Sequence, residues 1–560
     1  MRYIFFFLSL IFVIFSFSPS IYEISQKHLI PVSRTFTLEH NYLFDYNFYL
    51  SRIREGQEGN WLVTEKYYNQ RHNPSLFQIF YLYLGKLGGL LGAQPPEIYH
   101  TVRLILGFCL LYLAGRYILT LLSPIWSFTG YLFLVTLGSW PILVKAGENW
   151  RFATYMGWWS VADSLQRITT IPHVLFGQIM LLIFIWKFSH KLPSLPKLLL
   201  LIGLGNIAGV VFPPTLIIVY IYFAILSILE GINLFNLGNK GGPLIINKTR
   251  SKLWLKELIL PRIIFGFLTF PSLIYMQLSF RELPWSALPL FDIQHRIPLP
   301  FIEYILALGP VFWLGLSGLT VALLRKQKKF YPVIAWVIAL FTLFKIFEYV
   351  PQQSPLRFTE GLINVPLGIL DAYLFESIFE VTGKLKKTPK MFFRSTSVGV
   401  IIITVLLGIG VMISMVGWLT DQVRWRREGT WKVAIGAQLA YPLNDFMNGL
   451  EFLKHNTKIN DVVLGYITSG NFIPAYAGNY VYLGHANTPD EDAKEKIAAG
   501  FFSGKMKGDE AQDFLKKEHI SYIFFGPQER ELGGNAGLKV IYPFISKAYE
   551  NKEVIIYKYD

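Results

Sequence analysis

The chain has a single cysteine in 560 residues, Cys109, set in an apolar run. A disulfide framework, a zinc knuckle or a thiol catalyst cannot be built from it without a second chain. Charge is also scarce. Asp, Glu, Lys and Arg make up 16% of the residues, against about 25% in soluble globular proteins, which argues against a water-soluble enzyme of this length. Acidic residues are the scarcer sign, 37 against 52 Lys and Arg, leaving a net charge of +15. There is no internal repeat, no low-complexity linker, and no Gly-rich loop behind a strand pattern that would cradle a nucleotide phosphate. What is abundant is apolar: hydrophobic residues reach 52% and aromatics 16%. Disorder requires low hydrophobicity and is excluded. Rings at this density suit lipid-facing and interfacial positions. The composition describes a polytopic membrane protein.

A spanning helix needs about 20 mainly apolar residues. The first run covers 3–19 and lacks a small-x-small cleavage site, so it reads as an uncleaved helix rather than a signal peptide. Further runs lie near 101–121, 124–144, 170–189, 198–212, 214–230, 262–280, 301–324, 331–349, 362–380 and 396–418, giving about eleven spans. The short runs 198–212 and 214–230, joined at Pro213-Pro214, also suit a re-entrant hairpin. Threading the runs in and out gathers basic clusters on one side. These are Lys187, Lys191 and Lys197; Lys240, Lys248, Arg250, Lys252 and Lys256; Arg325, Lys326, Lys328 and Lys329; and Lys384, Lys386, Lys387, Lys390 and Arg394. Such clusters fix orientation, so much of the net charge is topology rather than nucleic-acid binding. The expected architecture is mainly α, a transmembrane domain over 1–425 with a long first outer loop (about 20–100). A soluble α/β domain over 426–560 would lie outside the cytoplasm, with the chain in the plasma or inner membrane.

The tail supports that division. Asn444-Asp445 opens an amphipathic helix, and 461–466, 479–484, 521–526 and 554–557 read as strands. Helical patterns near 490–502 and 509–518 lie between them. Alternating strands and helices imply an α/β layer fold.

Polar groups with chemical potential concentrate in the outer segments. In the first loop, Asp45, Tyr49 and Arg52 fall at i, i+4 and i+7 on one helical face. A carboxylate at the outer mouth of a helix bundle can act as a general base or hold a divalent cation. Asp45 also suits a helix cap, and Glu39 is the alternative acid. Trp61, Tyr67, Tyr68, Arg71 and His72 form a polar-aromatic stretch suited to stacking on a sugar or to an interfacial belt. The second loop carries Glu148, Arg151, Asp163, Arg167 and His173. An arginine there can hold a phosphate bidentately or pair with a neighbouring acid. Arg357 is a cation at a later outer mouth, a clamp for a lipid phosphate or a side chain snorkelling to headgroups. Arg424-Trp425-Arg426-Arg427 sits where topology asks for no positive charge, suiting lipid phosphate or docking of the tail. No spacing among the histidines makes a metal site.

This pattern resembles the GT-C superfamily of polytopic glycosyltransferases. The tail is similar to that of uncharacterised bacterial members in the words Glu451-Phe452-Leu453, Gly470-Asn471-Phe472-Ile473-Pro474-Ala475, Val481-Tyr482-Leu483-Gly484-His485 and Tyr522-Ile523-Phe524-Phe525-Gly526-Pro527. The resemblance implies transfer of a sugar from a polyprenyl-phosphate donor to a glycan, lipid or protein acceptor, with membrane lipids as the other partners. It matches Asp45 to the first-loop acid and Arg357 to the later-loop arginine that grips lipid phosphate. It leaves Glu39, Arg52, Trp61, Tyr67, Arg151, Arg167 and His173 as substrate-binding candidates. The doublet of adjacent acids common in that superfamily is absent, since Phe44 and Tyr46 flank Asp45. A base role for Asp45 is therefore preferred to a divalent-cation site; no cofactor is fixed by the sequence, and a divalent cation stays open as one. The alternatives are a lipid-linked-sugar flippase and a non-catalytic envelope assembly protein of the same fold.

Overall fold

The structure, a computed structural model, describes residues 1–39, 43–155, 165–189, 194–234, 252–296, 299–432, 440–534 and 537–559. Lys191, Lys240, Lys248, Arg250 and Asp163 lie outside the described residues. The chain is mainly helical with a small C-terminal sheet. It divides into two compact units, one of 1–17, 102–275 and 296–417, the other of 18–101, 276–295 and 418–560.

The first unit is a helical bundle. Among the described residues, six helices are long and apolar enough to cross a membrane: Pro95–Ile118, Pro214–Ile232, Lys252–Ser279, Phe301–Leu324, Lys328–Phe347 and Lys387–Glu428. Counting Arg2–Ser16 and Ser18–Ser25 as one bent span makes seven, and Pro172–Phe188, Leu195–Val211 and Ile79–Leu91 are apolar but shorter. Proline stands in the first turn of Pro124–Thr136 at Pro124 and of three helices named above at Pro172, Pro196 and Pro332, where its missing N–H costs nothing. The 198–230 stretch folds as two helices, Leu195–Val211 and Pro214–Leu234.

The run at 124–144 departs from the expected single span. Its helix stops at Thr136, and the chain continues into a hairpin of β1 (Ile142–Ala146) and β2 (Asn149–Ala153). The cause lies partly in another helix. Pro310, inside Phe301–Leu324, has no N–H for the carbonyl of Leu306, and Gly309 leaves helical geometry there with φ +61°. The N–H of Trp140 donates to that carbonyl at 3.0 Å. A Cβ on Gly309 would come within 2.1 Å of the Gly138 carbonyl oxygen, so the break admits the extended 137–140 segment only because residue 309 is glycine. Asn364–Thr382 lies deep in this unit, with Gly368 against Gly130 and Leu370 against Gly318, the close backbone approach that small residues allow between helices.

The second unit joins the first loop to the tail. Its sheet has five strands in the order β4 (Tyr480–Val481), β3 (Val462–Leu464), β5 (Ile520–Phe525), β7 (Ile555–Lys558) and β6 (Ser546–Glu550). The first three are parallel and the last two antiparallel to their neighbours. Parallel neighbours need crossover connections, and the helices Ile467–Tyr476, Glu491–Phe502 and Gly508–Lys517 supply them. Leu464, Phe501, Phe502, Leu515, Ile523 and Phe525 are among its buried core. The first loop is sewn to this domain by backbone bonds: Thr35 to Pro442 and Asn444 to Ser33 on one side, Val481 to Lys66 on the other.

Candidate functional site

The helix Leu43–Gln57 is buried on most of its surface, so its polar side chains must find internal partners. Arg52 is fully buried and pairs with Glu65 at 2.6 Å, with its guanidinium 4.5 Å from the Phe48 ring centroid. Glu55 accepts from Asn60 and from the backbone and hydroxyl of Thr64. Asn47 donates to Asn471 of the tail at 2.8 Å. Asp45 differs. Its side chain is 51% exposed, in the first turn, where the helix dipole favours a carboxylate. The helix is already formed at Leu43, so Asp45 lies within the first turn rather than before it.

The partner of Asp45 is His485, which the sequence marked only as the end of a tail word and did not connect to that acid. Its Nε2 lies 3.3 Å from Asp45 Oδ1, and its own side chain is only 7% exposed. The imidazole stacks on Phe48 with centroids 4.3 Å apart and planes 9° apart, and Tyr67 flanks it at 5.3 Å. Tyr67 is fully buried and donates its hydroxyl to the Asn471 carbonyl at 3.1 Å; burial pushes its phenol pKa upward. Helix and tail loop thus present one half-exposed carboxylate on a packed aromatic bed. A carboxylate so held can accept a proton from a hydroxyl group brought to it.

The other first-loop candidates sit apart from this bed or inside it. Trp61 is mostly exposed, with Lys86 Nζ 4.0 Å from its ring centroid. Glu39 is buried, and its backbone carbonyl accepts from Arg426. His72 closes the 64–72 stretch: Nε2 accepts the N–H of Glu65 at 2.8 Å, which makes Nδ1 the donor to the Gln70 carbonyl at 2.9 Å. Burial lowers the His72 pKa, while Gln70 and Glu65 oppose that shift. The unfolded chain therefore takes the proton first, near about pH 6.5. The stability that neutral His72 contributes is complete above that pH and is lost as pH falls toward the folded-state value. Thermal melts of the full chain in detergent at about pH 7.5 and about pH 5.5 are expected to show a smaller drop for His72→Asn than for the unaltered protein. Equal drops would refute this role.

The remaining candidates belong to the first unit. Arg151 is carried by β2 beside Gly417. Arg167 donates to the carbonyls of Val135 at 3.1 Å and Leu137 at 2.8 Å, closing the C-terminal end of Pro124–Thr136. His173 starts the Pro172–Phe188 helix, with its ring 6.1 Å from that of Phe212. Arg357, half-buried, lies on the short helix Leu356–Thr359. Beside it, sequence reasoning missed Glu360, a buried carboxyl whose Oε2 has no hydrogen-bond partner. Burial pushes its pKa up to about 7, with Arg357 pulling the other way. The same unit holds a cavity of about 290 Å³ lined by Phe301, Phe312, Leu316, Val337, Phe341 and others, with Thr342 as its one polar side chain. Among the described residues, no three His, Cys, Asp or Glu side chains gather as a metal site.

No family model matches the chain, and no curated protein matches it in sequence. Solved structures do match in shape. ArnT from Cupriavidus metallidurans, bound to undecaprenyl phosphate, aligns over 97% of this chain and 97% of its own at 11% identity, with a TM-score of 0.50. The chain has the GT-C fold. The oligosaccharyltransferase of Archaeoglobus fulgidus in its apo form aligns over 96% of this chain and 73% of its own at 13% identity, with a TM-score of 0.46. The same organism's oligosaccharyltransferase AglB, with an inhibitory peptide and a dolichol-phosphate, aligns over 96% and 72% at 11% identity, also with a TM-score of 0.46. Within this fold, Asp45 and His485 belong to the unit formed by first loop and tail, and Arg357 to the helical unit.

Proposed function

We propose that the chain is a membrane glycosyltransferase that moves a sugar from a polyprenyl-phosphate donor to an acceptor hydroxyl or amide outside the cytoplasm. The observation that carries this reading is the half-exposed Asp45 held by buried His485 in a chain of GT-C fold. Asp45 takes the acceptor's proton as the acceptor atom attacks the sugar's anomeric carbon. The bond from that carbon to the phosphate oxygen breaks with inversion, and the oxygen keeps the electron pair. The superfamily resemblance gives Arg357 the task of neutralising the leaving phosphate, the electrostatic contribution that is usually largest in such transfers. The apolar cavity of about 290 Å³ in the same unit as Arg357 supports an isoprenoid-bearing donor. In this reading the long apolar helices are the spans of a plasma- or inner-membrane protein, with the first loop and tail outside.

The test uses the full chain in liposomes supplied with polyprenyl-phosphate hexoses and a panel of glycan, lipid and peptide acceptors, with release of polyprenyl phosphate as the readout. Asp45→Asn is expected to reduce release by about a hundredfold or more, as loss of a general base does, without lowering the melting temperature. Full activity in that variant overturns the assignment.

One observation favours a second reading. Asp371 is fully buried in the helix Asn364–Thr382, and both its carboxylate oxygens lack partners. Unpaired acids of this kind mark ion and substrate pathways in membrane proteins. If lipid-linked sugar crosses the bilayer in these liposomes, Asp371→Asn stops it, and no transfer occurs, transport replaces transfer.

A further inference from the structure

We infer that His485 is the positioning residue for Asp45, holding the carboxylate through an Nε2–H donor without itself exchanging the proton. The inference deepens the glycosyltransferase reading above and rests on it for the catalytic consequence, although the hydrogen bond itself does not depend on that reading.

The tautomer follows from the loop. The N–H of Asn487 donates to His485 Nδ1 at 3.1 Å, so Nδ1 is an acceptor and carries no proton in the neutral ring. The ring proton is therefore on Nε2, 3.3 Å from Asp45 Oδ1. The N–H of Thr488 donates to the His485 carbonyl at 2.7 Å, tightening the same turn. Orientation follows from the rings, since the imidazole lies nearly parallel to Phe48 and is flanked by Tyr67. Phe48 belongs to the helix that carries Asp45, one turn further on. Helix and tail loop are bound again at Asn471, which accepts from Asn47, donates to the Phe44 carbonyl at 3.2 Å, and offers its own carbonyl to Tyr67.

Exposure divides the roles. His485 is buried and Asp45 is half exposed, so an acceptor group reaches the carboxylate and not the imidazole. Protonating Nδ1 would turn an acceptor into a donor facing the Asn487 N–H. The imidazole therefore orients, and the carboxylate takes the proton. A fixed base matters because small misplacements of a reacting group cost large factors in rate.

Two side chains separate this role from mere packing. His485→Gln keeps an N–H donor but no ring, whereas His485→Phe keeps the stacked ring but no donor. In the full chain in nanodiscs, labelled with ¹³C-aspartate and ¹⁵N-histidine, Asp45 and His485 signals are assigned by their loss in Asp45→Asn and His485→Gln. The expected results are an Nε2–H tautomer for His485 in the unaltered chain, and an Asp45 carboxyl resonance that moves in His485→Phe and stays in His485→Gln. In the polyprenyl-phosphate hexose assay, His485→Phe is expected to lose about tenfold or more in kcat with donor KM unchanged, and His485→Gln to retain most of it. An Nδ1–H tautomer, an Asp45 signal indifferent to His485→Phe, or activity kept by Phe and lost by Gln would overturn the inference. Absence of transfer in the unaltered chain defeats the glycosyltransferase reading alone, because the resonance measurements still decide whether His485 holds Asp45.

Discussion

Arg426→Met is expected to destabilise the full chain by about 3–5 kcal/mol, the cost of removing one partner from a buried ion pair. Arg426 and Glu23 are both fully buried and lie 2.9 Å apart. The guanidinium also donates to the Thr37 carbonyl at 2.8 Å, the Thr37 hydroxyl at 2.6 Å and the Glu39 carbonyl, and its carbon lies 4.2 Å from the Tyr441 ring centroid. Tyr441 in turn donates its hydroxyl to Glu23 at 3.0 Å. Methionine fills much of the arginine's volume but takes the cationic partner from the buried Glu23 carboxylate, and removes the guanidinium's hydrogen bonds to two backbone carbonyls and a hydroxyl. An unmet buried group costs more than the bond was worth in place. Glu23→Gln should cost less, since an amide oxygen still accepts from Arg426 and Tyr441. The double variant Glu23→Leu with Arg426→Met should recover part of the loss, because an apolar pair leaves no stranded charge. Denaturation of the three variants and the unaltered chain in detergent, followed by circular dichroism, checks the order. An Arg426→Met midpoint equal to that of the unaltered chain contradicts it.

This arginine also marks a limit of reading one sequence. Positive charge at 424–427 was legible as charge that topology does not require, and two uses stayed open, lipid phosphate or docking of the tail. The structure uses Arg426 to tie the tail to residues 23–39, and sequence cannot choose between those uses because its partners lie some four hundred positions away. The same holds at Asp45. Its position in an amphipathic first-loop segment was legible, whereas His485, 440 residues distant, carried no local signal joining it to that acid. Elements with a periodic apolar pattern were readable: β3, β5, β7 and the helices Glu491–Phe502 and Gly508–Lys517 fall where alternation and amphipathicity put them. The strand β6 was missed because Ser546–Glu550 is an exposed edge with charged side chains and no buried stripe. The helix Ile467–Tyr476 was missed because Gly470 and Pro474 lie inside it, both poor helix formers. Ile79–Leu91 was hidden within a segment read as loop, its 13 residues being too few to register as a span.

Gly85→Leu is expected to cost more than about 3 kcal/mol, beyond the usual price of overpacking a core, and to abolish any activity that depends on Asp45. The helices Leu43–Gln57 and Ile79–Leu91 pack through Gly56 and Gly85. A Cβ on Gly85 would lie 1.8 Å from the Ile53 carbonyl oxygen, and one on Gly56 would lie 1.9 Å from that of Leu82. Both obstacles are backbone, so no rotamer change relieves them, and the helices must move apart. The moving helix carries Asp45, Phe48 and Arg52. Shifting it strains the 2.6 Å Arg52–Glu65 pair and the stacking that seats His485. Because the first side-chain carbon is itself the obstacle, Gly85→Ala should already destabilise, although alanine is the better helix former by about 1 kcal/mol. Gly89, one turn later, provides the contrast. Its added Cβ would meet only Gln57 at 3.9 Å, so Gly89→Ala should leave stability unchanged or raise it by up to about 1 kcal/mol. Melting in detergent together with the Asp45 carboxyl resonance reads both effects. A Gly85→Ala protein as stable as Gly89→Ala, with that resonance unmoved, would mean that the two helices do not meet at their glycines.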